Sequence, residues 1–181
     1  MRADPDSQRF RTVVLPHLAD AYGLARWLTG DRADAEDVVQ DACLRAHRAL
    51  GGFSGSNARA WLLAIVRNAA YDWLRKNRSA TVIAVDDLAA LEQALPVRDA
   101  AERPGSETPE AALIAKTESA RLEAAIAGLP PLFRETLVLR DVQGLNYREV
   151  AEVTGVPIGT VMSRLARARR HLMAMMGTER S

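Results

Sequence analysis

The chain is poor in the residues that build most metal, redox and nucleophilic sites. Its 181 residues include one cysteine, Cys43, and three scattered histidines, His17, His47 and His171. A single thiol cannot form an internal disulfide and fits a reducing compartment, where Cys43 is expected to be a small buried hydrophobe. Histidines without ligand spacing offer no metal site. Neither a phosphate-cradling Gly-rich loop nor a Ser/His/Asp grouping is present, so no catalytic residue, metal or cofactor is expected, and no small-molecule substrate. The N-terminus has no signal-type apolar segment and no apolar run is long enough to span a bilayer, which places the expected location in the cytoplasm. Net charge is only +1, so any affinity for nucleic acid must come from local clustering of charge. A hydrophobic content of 48% is enough for real cores, in one domain or two small ones.

What is present is helical patterning in two blocks. Residues 8–78 read as helix almost throughout, broken at Pro16, at Gly30-Asp31 and over the glycine-rich stretch 50–56. Residues 79–109 lose that periodicity, hold Pro96, Pro104, Gly105 and Pro109, and are dominated by acidic side chains such as Asp86, Asp87, Asp99 and Glu102. They read as an acidic linker, with a short helix possible over 86–95. Helical patterning resumes over 110–176, with a stop at Pro130-Pro131. The expected fold is all-α: two small helical domains on a flexible acidic linker.

The second block ends in a helix-turn-helix. Asn146 is a good N-cap and Glu149, three residues on, completes a capping box. Gly155 sits where the chain must turn with positive φ, and Pro157 suits the entry to a second helix. On that helix Val161, Leu165, Ala168 and Leu172 form the packing face, while Thr160, Ser163, Arg164, Arg167, Arg169 and Arg170 occupy the other. No acidic residue lies between Ile158 and Met176, so no i,i+4 pair neutralises these arginines. A positive stripe of this kind attracts phosphates through counterion release, and a helix of this size fits the major groove.

In the first block, Asp31 or Asp34 can cap a helix running to about Leu50, with Val38, Val39, Ala42 and Ala46 as its apolar stripe. Glu36, Asp37, Gln40 and Asp41 form an acidic patch that either stabilises the helix start or binds a partner. The next helix, over about 57–77, is expected to pack through Trp61, Leu62, Ile65, Ala69 and Trp73, leaving Arg67, Asn68, Tyr71, Arg75 and Lys76 on other faces. Asp72 in that basic helix is expected to pair with an arginine.

The string Asp34-Ala-Glu-Asp-Val-Val-Gln-Asp41, the loop at Phe53, the run Trp61-Leu-Leu-Ala-Ile-Val-Arg-Asn-Ala-Ala-Tyr-Asp-Trp-Leu-Arg75 and the C-terminal Gly159-Thr-Val-Met-Ser-Arg-Leu-Ala-Arg-Ala-Arg169 together resemble bacterial RNA polymerase sigma factors, and the short length is similar to the extracytoplasmic-function (ECF) class. The resemblance implies a specificity subunit with no catalysis of its own. It implies that Asp37, Gln40 and Asp41, with Glu36 and Arg45 at the rim, bind the β′ clamp helices of core RNA polymerase, with apolar neighbours such as Val38 supplying area, and that the β subunit is contacted as well. It implies that Phe53, Ser54, Ser56 and Asn57 hold an unstacked base of the minus-ten promoter element, with Asn68 offering it a donor and an acceptor, while Arg67, Arg75 and Lys76 hold phosphates. Thr160, Ser163, Arg164 and Arg167 would read the minus-thirty-five element as duplex, with Tyr147 and Arg148 on phosphate. In the same frame residues 8–78 correspond to sigma region 2, 79–109 to the linker threading toward the polymerase active centre, and 110–176 to sigma region 4. An anti-sigma factor is an expected partner. The alternative is a stand-alone helix-turn-helix regulator that binds an operator, for which the acidic and basic helices of the first block are superfluous.

Overall fold

A computed structural model describes residues 5–77 and 109–178. Among them every regular element is a helix. The first module comprises α1 (Pro5–Val13), a 3₁₀ turn, α2 (Leu18–Thr29), α3 (Arg32–Ala49), a second 3₁₀ turn (Leu50–Gly52) and α4 (Ala58–Asn77). The second comprises α5 (Pro109–Ala127), α6 (Pro131–Leu137) with a π-helical continuation (Val138–Val142), α7 (Tyr147–Thr154) and α8 (Ile158–Thr178). The expected linker, except its last residue, and the possible helix over 86–95 lie outside the described residues.

Helices α2, α3 and α4 pack against one another in the first module. Alanines make this possible: Ala21, Ala25, Ala35, Ala42, Ala46, Ala60, Ala69 and Ala70 are buried, so the backbones approach closely around Leu24, Leu62, Leu63 and Val66. The corner between α2 and α3 is fixed by three neighbours. The Thr29 hydroxyl donates to Ala25 O at 2.9 Å, Gly30 takes φ of 78°, and Asp31 caps α3 by accepting from Ala33 N at 2.8 Å and Asp34 N at 3.2 Å. Those backbone bonds, Asp34 first and then Ala33, lower the Asp31 pKa. The buried face of α4 is rotated from the expected one. Leu62, Leu63, Val66, Ala69, Ala70 and Leu74 are fully buried, whereas Trp61, Ile65 and Trp73 pack at the edge of the core. Cys43 is likewise only half-buried, so it is not the fully enclosed hydrophobe expected; burial still pushes its thiol pKa up.

The second module closes around Phe133, Leu129, Leu139, Leu145, Val150, Val161 and Leu165. Its capping box is complete: Asn146 Oδ1 accepts from Glu149 N at 3.0 Å, and Glu149 Oε2 accepts from Asn146 N at 2.8 Å. Gly155 ends α7 with φ of 71°, as the turn requires. The packing face expected for α8 is the observed one, with Val161, Leu165 and Ala168 buried and Leu172 half-buried.

The two modules share one continuous apolar core, with α4 lying against α7 and α2 against α6. Polar bonds cross the seam as well. Arg59 Nη2 donates to Gln143 O at 2.8 Å, Gln143 Nε2 donates to Asp20 O at 2.8 Å, and Arg134 Nη1 donates to Trp27 O at 3.3 Å.

Candidate functional site

The candidate residues fall on three surfaces, and the fold treats them differently. On α3 the capping role belongs to Asp31, which leaves the acidic patch further along the helix for other work. Glu36, Asp37 and Gln40 are exposed and Asp41 is half-buried. Glu36 pairs with Arg32 at 3.1 Å and Asp41 with Arg45 at 2.7 Å, both i,i+4 pairs. Val38 cannot supply contact area to a partner, because it is only 1% exposed and belongs to the core. The apolar group on this face is Leu44, 58% exposed, two helical turns beyond Asp37 and one beyond Gln40. Sequence reasoning missed it. The signal was available, since Asp37, Gln40, Asp41 and Leu44 follow the i, i+3, i+4, i+7 spacing of one face.

Arg45 turns inward from that face. Its Nη1 donates to Asp72 Oδ2 of α4 at 2.7 Å, and Arg75 pairs with the other Asp72 oxygen. The arginine partner expected for Asp72 is therefore present twice. The Arg45 hydrogen bond, opposed by burial and supported by Arg75, lowers the Asp72 pKa.

The loop before α4 forms the second surface. The Phe53 ring stacks on Trp61 with centroids 4.6 Å apart, and its carbonyl accepts from the Arg9 guanidinium. Ser54 and Ser56 are exposed, while Asn57 Oδ1 caps α4 by accepting from Ala60 N at 3.0 Å. Asn57 Nδ2 donates at 2.8 Å to Glu149 Oε1 of the second module. A cleft of about 740 Å³ separates the loop from α7; Phe53, Asn57 and Trp61 line one side and Arg148, Glu149 and Glu152 the other. Further along α4, Asn68 and Lys76 are exposed. Arg67 is not: it makes a bidentate pair with Glu135 of α6, at 2.8 and 3.0 Å, and stacks on Tyr71 at 4.8 Å. Burial alone would lower the Arg67 pKa, but the Glu135 bonds and charge outweigh it and raise it.

The third surface is α8. Met162 projects into solvent, 54% exposed, between Thr160 and Ser163, whose hydroxyl donates to Thr160 O at 3.0 Å. The stripe of uncompensated arginines does not hold in three dimensions. Arg169 is paired bidentately with Asp141 of the π segment at 3.0 and 2.7 Å, and Arg164 lies with Nη1 3.9 Å from Glu135. Absence of acidic residues within a helix says nothing about acids that pack on it from elsewhere. At the start of α7, Arg148 is exposed and the partly exposed Tyr147 ring lies beneath Arg140 at 5.1 Å. Among the described residues no group of acidic, histidine or cysteine side chains could hold a metal ion.

Two family descriptions match the chain in order: Sigma-70 region 2 over residues 13–80 and Sigma-70, region 4 over residues 119–172. The RNA polymerase sigma-H factor of Pseudomonas aeruginosa is 34% identical over 91% of this chain and 84% of its own length. The chain belongs to the ECF RNA polymerase sigma factors. The ECF sigma factor SigE of Mycolicibacterium smegmatis is also 34% identical, over 88% of this chain, which spans 58% of that longer relative. The solved complex of the sigma factor RpoE with the anti-sigma factor NepR from Bartonella quintana is similar in fold, with a TM-score of 0.64, 27% identity, and coverage of 94% of this chain and 98% of that one. As a sigma factor the chain directs promoter-specific transcription, and the reading as a stand-alone operator-binding regulator is not favoured. Sigma factors are not enzymes.

Proposed function

We propose that this sigma factor docks on core RNA polymerase through the outer face of α3 and grips promoter DNA at two separate places. Glu36, Asp37, Gln40 and Asp41 give orientation against the β′ clamp helices, and Leu44 supplies the apolar area at their centre. The observation that carries this reading is Leu44: a large apolar side chain, mostly exposed, surrounded by polar groups on a helix whose other large aliphatic residues, Val38 and Val39, lie in or against the core. The loop 53–57 and Asn68 take an unstacked minus-ten base, with Arg67, Arg75 and Lys76 along the backbone. Helix α8 reads the minus-thirty-five duplex through Thr160, Ser163, Arg164 and Arg167, while Tyr147 and Arg148 hold phosphate. Residues 8–78 and 110–176 act as the two modules, and 79–109 as the tether that follows the polymerase toward its active centre and its β subunit. No described helix is long and apolar enough to cross a membrane, which supports work in the cytoplasm. Because the Bartonella relative was solved with an anti-sigma factor, a protein of that class is a partner for this chain too.

Run-off transcription with core polymerase on a genomic promoter library tests the whole reading. Transcripts that start at a common motif only when the chain is added are the expected result. Absence of both new transcripts and co-migration with core polymerase would overturn it.

A further inference from the structure

One carboxylate stands between the two DNA-gripping modules. Glu135 on α6 is fully buried, and its two oxygens meet Arg67 of the first module at 2.8 and 3.0 Å. On its other side Arg164 of α8 approaches to 3.9 Å, with its side chain only 13% exposed. Nε and Nη1 of Arg164 are buried and find no hydrogen-bond partner among the described residues. A second bond ties the modules at the cleft, where Glu149 accepts from Asn57. We infer that Glu135 is an internal stand-in for nucleic acid, holding Arg67 and Arg164 together so that neither arginine meets DNA until the modules part.

The inference rests on the reading above that both arginines are DNA contacts, and it adds how their access is governed. Two cations facing one buried carboxylate need that carboxylate, because removing it leaves like charges in a poorly solvated seam. Arg67 holds Glu135 through two hydrogen bonds there, whereas Arg164 makes none with it. Arg164 therefore gains hydrogen bonds on leaving the seam, and a DNA phosphate or guanine edge offers acceptors that Glu135 at 3.9 Å does not. The closed arrangement also places α7, with Arg148, Glu149 and Glu152, across the cleft from the minus-ten loop, so that the loop faces protein where a base would enter. Affinity for DNA is thereby reduced by the fraction of molecules that are open.

Two variants of the full chain test this. Glu135→Gln keeps the shape and removes the charge. Gly23→Leu acts as a wedge on α2: a Cβ at position 23 would sit 3.5 Å from Gln143 Nε2 across the seam, and neither residue is a candidate DNA contact. Small-angle scattering reads the opening, and anisotropy with a mixed-sequence duplex of about 30 base pairs at fixed low salt reads the electrostatic grip. Both variants are expected to show a larger radius of gyration and roughly tenfold tighter duplex binding. Adding Arg164→Ala to Glu135→Gln is expected to take most of that gain away. A folded Glu135→Gln protein with unchanged size and unchanged duplex affinity overturns the inference, as does opening without a gain. Should Glu135→Gln fail to fold, Gly23→Leu decides: tighter binding supports the masking, and unaltered binding ends it. Scattering does not depend on polymerase, so a failed latch and a failed sigma-factor reading give different patterns.

Discussion

The outer face of α3 and the facing surfaces of α4 and α8 are all rich in charge, yet the fold disposes of them in opposite ways. Asp37, Gln40 and Leu44 stand in solvent, while Arg67 and Arg164 are turned toward each other around a buried glutamate. The difference teaches that charge content does not say which surface is available. A helix that offers one apolar residue among acids can wait in water indefinitely. Arginines that lie beside an apolar core are drawn into it when a carboxylate can accompany them. In the closed chain the face proposed to dock on polymerase stands open, whereas two of the arginines proposed to grip DNA, Arg67 and Arg164, do not.

The strongest way to break that contrast is at Leu44. Leu44→Asp is expected to weaken binding to core polymerase by about 2 kcal/mol or more, roughly thirtyfold, because it places a charge at the centre of the contact. Duplex binding by the free chain should not change; a parallel loss in both assays would show that the surfaces are not separate. Arg164→Ala comes next. It should cost about 1–3 kcal/mol of minus-thirty-five affinity in the polymerase complex if the arginine makes a bidentate base contact. The same change should matter far less in the free chain, where the arginine is enclosed in the seam beside Glu135. Equal effects in the two promoter titrations at matched salt would argue against masking.

A smaller effect is expected at Asn146. Asn146→Ala removes the acceptor for Arg148 N and Glu149 N, and should lower the stability of the second module by about 1 kcal/mol in chemical denaturation. The smallest concerns acid. The Asp72 pKa is lowered, first by the Arg45 hydrogen bond, so its stabilisation is complete above the ordinary carboxylate value of about 4. It is lost as pH falls through the lower folded value, since the unfolded chain takes up the proton first. Asp72→Asn should therefore flatten the acid limb of stability below about pH 4 and leave its shape near neutrality unaltered. An acid limb identical to that of the natural chain would remove Asp72 from the account.

Local features were legible in the chain because their physics is local. The capping box at Asn146 and Glu149, the positive φ at Gly155 and the packing face of α8 each depend on residues within a few positions of one another. The pairing of Asp72 was readable for a similar reason, since Arg75 is three residues away, although Arg45 comes from another helix. What could not be read depends on docking. The phase of α4 is set by where α7 and α2 lie, and this moved Trp61 and Trp73 from the core centre to its edge. The same is true of α3, where only the neighbours of Val38 show that it is spent in the core and that the apolar group left on the outer face is Leu44, to which no role was assigned from sequence. Glu135 gave no signal at all: a glutamate between Arg134 and Thr136 in a short helix is ordinary until an arginine 68 positions earlier is folded against it.

Glu149 divides its two oxygens between different tasks. One accepts from the backbone of Asn146 inside its own module, and the other accepts from the Asn57 amide in the opposite module. Separation of the modules thus releases a single oxygen to water while the start of α7 keeps its end fastening. If the modules part as proposed, α7 and α8 swing free as a finished unit, with no helical turn to rebuild before they reach DNA.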